Sequence, residues 1–227
     1  MEGARSPDTS RPPTNAKLTL SLTIRLYISH FLSTWNSRLF EAAVVYFLAA
    51  IYPNNLLPVS VYALVRNAAV IALTAPMGRW IDRGNRLTIV QVSIIGQRVS
   101  VVASSLVFWF MYRFDSLDDW LRNSLFAVTV ILACAEKLSA SVNLVAVERD
   151  WVVVLTEDDE AGRIVMNARL RRIDLFCKLV GPLVISLVAA ASVTGAIFSV
   201  VGMNLLSVAI ECVFIRTVSQ DSSLPIR

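Results

Sequence analysis

One charged segment, residues 148–174, contains the motifs Glu148-Arg149-Asp150-Trp151-Val152-Val153-Val154, Met166-Asn167-Ala168 and Arg171-Arg172-Ile173-Asp174. It lies between two apolar runs that are each long enough to cross a bilayer. Fixed charges crowded at a membrane boundary are costly unless water or partner groups receive them. We therefore expect Asp150 and Arg171 to face a cavity or another lobe of the protein. The segment predicts a cytoplasmic elbow between two membrane spans, and we expect a gate at this elbow.

The composition indicates a membrane protein. Hydrophobic residues make up 56% of the chain, charged residues 17%, and the mean hydropathy is +0.61. Soluble domains usually contain about 45–50% apolar and about 25% charged residues. Lys and Arg number 21 against 17 Asp and Glu, but they form no single basic face or run. We therefore expect the lipid bilayer as a partner and no nucleic acid.

Apolar runs predict six transmembrane helices, because a span needs about 20 such residues. We expect these helices at Leu22–Ile51, Val59–Ile81, Thr88–Tyr112, Trp120–Val147, Arg169–Val193 and Gly195–Thr217. The predicted fold is an all-α, polytopic membrane protein. Its domains are a disordered cytoplasmic N-terminal tail (1–21), a six-helix lobe (22–217) and a polar C-terminal tail or linker start (218–227).

The distribution of basic residues predicts the direction of insertion. Only Arg113 and Arg122 fall on the side that holds the first, third and fifth loops, whereas the other loops and both ends carry many Lys and Arg residues. Because basic residues accumulate on the cytoplasmic side, both termini should be cytoplasmic. Nothing in the sequence separates the plasma membrane from the vacuolar membrane.

Nine ionisable residues lie inside the predicted spans, where each costs about 2.5–3.5 kcal/mol on insertion scales. They are Arg38, Glu41, Arg66, Arg98, Glu136, Lys137, Asp174, Lys178 and Glu211. So many charges predict a polar interior. The competing interpretation is salt-bridged packing, for which Asp174 and Lys178 form a ready i,i+4 pair. The only histidine, His30, is interpreted as a hydrogen-bonded packing residue.

Two polar stripes are candidates for a substrate or metal route. The stripe on the first helix contains Ser33, Ser37 and Glu41, and the stripe on the sixth contains Asn204, Ser207 and Glu211. Residues at these spacings share one helix face, so the stripes can converge across one cavity. Their donors are mostly oxygen, which hard cations prefer. Glu41 is the candidate metal ligand.

The ordered motifs resemble the ferroportin family, solute carrier family 40, from Leu26 to Arg216. The motifs are His30-Phe31-Leu32-Ser33-Thr34-Trp35, Tyr52-Pro53-Asn54-Asn55-Leu56-Leu57 with Val61-Tyr62, Asp82 to Arg86, Arg149 to Val154, and Met166-Asn167-Ala168 to Asp174. The resemblance implies a major-facilitator-like N-terminal lobe of two, with export of ferrous iron or another divalent metal from the cytosol by alternating access.

The resemblance also implies roles for particular residues. The intracellular gate would comprise Asp82, Arg86, Asp150, Arg171 and Asp174. The family's metal-binding Asp and His on the first helix correspond here to Ser37 and Glu41. Neither the Asp nor the imidazole is present, and Glu41 supplies a carboxylate at the position of the His.

Some vertebrate ferroportins hold calcium at positions that correspond here to Ser37, Gln97, Arg98, Asn204 and Glu211. We hypothesise that Arg98, beside Gln97, pairs with Glu211 and substitutes for that ion. Arg66, Lys137 and Lys178 are further basic departures from the family pattern.

The chain has about half the length expected for twelve spans, so we expect a second six-helix lobe, missing from this chain, or a homodimer partner. A fragment, a dimerising half-transporter and a degenerate paralogue without transport are all consistent with the sequence. The competing function is a non-transporting membrane scaffold. The sequence has no nucleophile–base set, phosphate-cradling glycine loop or HExxH motif, so we predict no enzyme activity, no catalytic residue and no cofactor.

Overall fold

A computed structural model of the chain describes residues 14–114, 116–146 and 160–221, with side chains described within 23–85, 88–114, 116–145 and 160–210. These residues form six long helices and no strand. The helices are α1 (Thr14–Ile51), α2 (Leu57–Arg83), α3 (Arg86–Arg113), α4 (Asp119–Ala146), α5 (Glu160–Ala191) and α6 (Val193–Asp221). The predicted all-α fold is confirmed.

The helices extend beyond the predicted spans. The first begins at Thr14 rather than Leu22, the fifth at Glu160 rather than Arg169, and the sixth ends at Asp221 rather than Thr217. The predictions followed apolar runs, whereas a helix satisfies its own backbone hydrogen bonds and can continue into the polar interface. Residues 14–21 and 218–221, predicted to be tails, are therefore helical.

A short turn connects α1 to α2. Asn54 adopts a positive φ of 66°, a backbone region in which asparagine is enriched. The Asn55 side-chain oxygen then accepts a hydrogen bond from the Leu57 N–H at 3.0 Å, and Pro58 lies in the first turn of α2. These contacts let α2 start within a few residues of the end of α1.

Five helices are long and apolar enough to cross a membrane by length and composition, namely α2 to α6. The first helix is long enough at 38 residues, but Arg25, Arg38 and Glu41 interrupt its apolar residues. It packs against α5, α6, α3 and α2, so protein rather than lipid surrounds much of its surface. A central helix can therefore be more polar than its neighbours.

The main hydrophobic core lies around the second half of α1. Phe40 and Phe47 are fully buried, and the Phe47 ring packs against Phe108 of α3 with ring centroids 5.8 Å apart. On the outside, large apolar side chains are exposed, including Ile71 at 80% and Leu179 at 76%. Such exposure is typical of a surface that contacts lipid. The fold is that of an integral membrane protein.

Gly181 sets a close approach between α5 and α1. A Cβ atom at this position would lie 3.4 Å from the Arg38 Cβ and 3.6 Å from the Leu39 backbone nitrogen. A larger side chain would therefore push against the backbone of α1, which has no rotamer by which to yield. The glycine keeps Arg38 close to α5.

We predict that Gly181→Val lowers the unfolding free energy by about 1–3 kcal/mol, as overpacking of a closed interface does. Gly202→Val is the matched control, because nothing lies within 4 Å of a Cβ built at Gly202. Both variants place the same β-branched residue in a helix, so the difference isolates the packing. Unfolding in detergent micelles measures it, and equal losses in the two variants would contradict the close approach.

Candidate functional site

A continuous chain of ion pairs links α4, α2, α1 and α5. The Arg66 guanidinium contacts Glu136 (Nη2 to Oε2, 2.7 Å) and Glu41 (Nη1 to Oε1, 3.1 Å). The Arg38 guanidinium contacts Glu41 (Nη1 to Oε2, 3.0 Å) and Asp174 (Nη2 to Oδ1, 3.3 Å). We call Glu136, Arg66, Glu41, Arg38 and Asp174 the ion-pair chain. It joins four helices through side chains that carry full charges.

Further cations flank this chain. The Lys137 ammonium lies 3.7 Å from Glu41 Oε1. At the other end, Asp174 contacts Lys178 at 2.9 Å and Arg171 at 3.4 Å, which confirms the proposed i,i+4 pairing of Asp174 and Lys178. Among the side chains that the structure describes, seven of the nine ionisable residues predicted inside the spans thus belong to one network.

Glu136 is the most buried member of the ion-pair chain. Its side chain has no solvent exposure, and the Arg66 side chain is only 4% exposed, whereas the Glu41 side chain is 35% exposed. Glu136 Oε1 also accepts hydrogen bonds from Ser37 Oγ at 3.0 Å and Gln97 Nε2 at 3.4 Å. A buried carboxylate is tolerated when a cation and additional hydrogen bonds satisfy its oxygens.

An open cleft of about 90 Å³ lies beside the ion-pair chain. Its lining includes His30, Ser33, Thr34, Ser37, Arg38, Gln97, Lys137, Ala140, Ser141, Asn143, Leu144 and Asp174. At one wall Ser33 donates to Gln97 at 3.3 Å and accepts from Asn143 at 3.0 Å. His30 is buried against this cleft. Ser33 and Ser37 of the α1 stripe therefore face α3, α4 and α5 across a polar space.

The α6 stripe has different partners. Asn204 is fully buried and accepts a hydrogen bond from Arg98 Nη1 at 3.2 Å. Ser207 accepts a hydrogen bond from Asn36 Nδ2 at 2.6 Å. Neither lines the cleft that contains Ser37 and Gln97. In this conformation Asn204 and Ser207 join α6 to α3 and α1, so their participation in a route stays a prediction.

Two predictions about charge fall partly outside the described side chains. Arg98 is buried beside Asn204, but the side chain of Glu211 lies outside the described part, so their pairing stays a prediction. For the gate, Asp82 and Arg171 are exposed, while the Arg86 side chain and all of Asp150 lie outside that part. Among the five gate residues Arg171 contacts Asp174 at 3.4 Å, and their joint role as a gate stays a prediction.

The described residues contain no group of three or more His, Cys, Asp and Glu that is arranged to hold a metal ion. Glu41, the predicted ligand, is instead contacted by three cations, Arg38, Arg66 and Lys137. Its metal-binding role stays a prediction. Periodicity placed Glu41 on the same face of α1 as Ser37, but it missed the bridging position of Arg66, which depends on contacts among three helices.

Several known proteins of one family are similar to this chain. The model of the Ferroportin1 (FPN1) family matches residues 20–224. Human ferroportin is 32% identical over 204 residues, which cover 87% of this chain and 36% of the human protein. Solute carrier family 40 member 1 of Danio rerio is also 32% identical over 204 residues, with the same coverage of 87% and 36%. The chain thus spans little more than a third of the length of these relatives.

Solved structures support the same fold. A bacterial homologue of the iron transporter ferroportin in an outward-facing state matches with a TM-score of 0.80 and 23% identity, over 91% of this chain and 50% of that protein. The inward-facing state of such a homologue matches with a TM-score of 0.75 and 24% identity, over 92% and 52%. The six helices thus have the architecture of half of that transporter. By the family match and by relatives above 30% identity, the chain belongs to the ferroportin family.

Proposed function

We propose that this chain is the N-terminal six-helix lobe of a transporter that exports a divalent metal, with ferrous iron as the first candidate, from the cytosol by alternating access. Family membership supports transport rather than catalysis. A bacterial homologue of the iron transporter ferroportin has been solved in outward-facing and inward-facing states, and this lobe is similar to both. A lobe that keeps its fold in both states is what alternating access requires.

The observation that carries the proposal is the ion-pair chain beside a polar cleft in the middle of the helices. Charged groups are rare inside membrane proteins, and where they occur they mark ion or substrate pathways. Glu41 is the member with an exposed carboxylate on α1, since 35% of its side chain is accessible. We assign it the first contact with the metal inside this lobe.

The remaining parts of the transporter are proposed from membership of the family and from the distribution of basic residues. Residues 22–217 form the lobe, and a second six-helix lobe or a second copy of the chain completes the route. Both termini are cytoplasmic, in the plasma membrane or the vacuolar membrane. Asp82, Arg86, Asp150, Arg171 and Asp174 form this lobe's half of an intracellular gate, which opens when their pairs with the other lobe break.

Replacing Glu41 with Gln tests the route in the complete transporter, in which a second lobe or a second copy joins this lobe. We expect ferrous iron flux into liposomes to fall by about tenfold or more, because an anionic oxygen that meets the cation is lost. Glu160→Gln is the control, since Glu160 is exposed at the start of α5. Cobalt and zinc flux measured in parallel identifies the preferred metal.

The contrasting outcome is equally clear. If Glu41→Gln lowers the unfolding free energy but leaves flux at the level of Glu160→Gln, the ion-pair chain serves packing alone. That result would favour the non-transporting scaffold over the transporter.

Calcium provides a second test. We expect calcium to bind with a dissociation constant no tighter than about 1 mM, because the Arg98 guanidinium lies 3.2 Å from the amide oxygen of Asn204 and repels a dication there. Isothermal titration calorimetry on the purified chain measures this binding. A saturable, tight calcium isotherm would show that Arg98 does not substitute for the ion.

A further inference from the structure

Arg66 occupies the position between two carboxylates of different helices. Its Nη1 and Nη2 atoms each contact a separate carboxylate, that of Glu41 on α1 and that of Glu136 on α4. The guanidinium is itself buried among them. A cation that bridged the two carboxylates would occupy the same space, so the guanidinium and a metal ion exclude each other.

The two carboxylates at this position supply the negative charge that a divalent cation requires. Glu41 and Glu136 contribute two negative charges, and Arg66 contacts both of them. Arg38 and Lys137 also contact Glu41. Ser37 Oγ lies 3.0 Å from Glu136 Oε1 and adds a hydroxyl oxygen. Two carboxylates and a hydroxyl are the oxygen ligands that hard divalent cations take.

A second observation points to a ligand at the same place. Tyr62 lies one helical turn before Arg66, on the same face of α2, and is 4% exposed. Within the described part of the chain, its hydroxyl and the Arg66 Nε are buried without a hydrogen-bond partner. Tyr62 therefore lies on the face of α2 from which Arg66 reaches Glu136 and Glu41. A hydrated cation between the carboxylates would give this hydroxyl a partner.

Helix α2 is suited to withdraw the guanidinium. In the most apolar 18-residue stretch of α2, 17% is buried inside the protein, whereas the corresponding share for α3 is 50%. It packs mainly against α4 and only lightly against α1. A small movement of α2 away from α1 would therefore carry Arg66 off Glu41, and a change of the Arg66 side-chain rotamer would take it off Glu136.

We propose that Arg66 is a tethered competitor for the metal: a divalent cation binds Glu41 and Glu136 only when the guanidinium leaves them. Arg66 is thus a specificity-determining residue that keeps the inner carboxylates closed to metal in this conformation. Its role in transport rests on the proposed function, whereas the competition itself is a binding property of the lobe.

Manganese(II) binding to the purified chain in lipid nanodiscs tests this competition, with free Mn²⁺ followed by electron paramagnetic resonance. Arg66→Met removes the charge and keeps much of the side-chain length. We expect it to bind Mn²⁺ about tenfold or more tightly than the unmodified chain. Arg66→Lys keeps a cation at this position and should retain the weak binding of the unmodified chain. Equal affinity of the unmodified chain and Arg66→Met would overturn the proposal.

A double variant serves as the control for loss of folding in Arg66→Met. Arg66→Met leaves Glu136 buried without its cation, so this variant should melt at a lower temperature and Mn²⁺ should raise that temperature. Arg66→Met with Glu136→Gln removes both charges, so it should fold without Mn²⁺ and gain neither affinity nor thermal stability from it. If Mn²⁺ leaves the melting temperature of Arg66→Met unchanged, or raises that of the double variant equally, the proposal is wrong.

Flux separates this inference from the proposed function. Tighter Mn²⁺ binding by Arg66→Met, with no metal flux from the unmodified lobe joined by its second lobe or second copy, would uphold the competition and refute the transporter. Metal flux from the unmodified protein, with no gain in binding on Arg66→Met, would uphold the transporter and refute the competition.

Discussion

The contact on which the described structure depends most is that of Arg66 with Glu136. A fully buried carboxylate in the middle of α4 would strongly destabilise a membrane protein unless a cation paired with it. The guanidinium reaches it from α2 at 2.7 Å and extends to Glu41 on α1. Once Glu136 is neutralised, the positions of three helices relative to one another are constrained. The remaining ion pairs then extend the same constraint through Arg38 to α5.

Much of the fold follows from local patterns in the sequence. Apolar runs identify the helices, the Asn54-Asn55 turn closes the first connection, and the i,i+4 spacing of Asp174 and Lys178 predicts their ion pair. Periodicity also places Ser33, Ser37 and Glu41 on one polar face. These features depend on a few neighbouring residues, for which helical geometry supplies the distances.

The candidate site depends on long-range geometry that no local pattern contains. Arg66 and Glu136 are 70 positions apart, and Asn36 meets Ser207 across 171 positions. Which partner each charge meets depends on the rotation and register of whole helices. For the same reason Glu41 and Asn204 have different neighbours among the described contacts, with Asn204 bonded to Arg98, and the convergence of their stripes on one cavity stays a prediction.

The interior charges pair with one another, and these ion pairs fix the positions of the helices relative to one another. A double-mutant cycle on Arg66 and Glu136, using Arg66→Met, Glu136→Gln and the combined variant, measures their coupling through the unfolding free energy. The account predicts a coupling of about 3 kcal/mol, at the upper end for residues in one network. A coupling near zero would show that each charge is stabilised by its surroundings alone, and it would contradict the account.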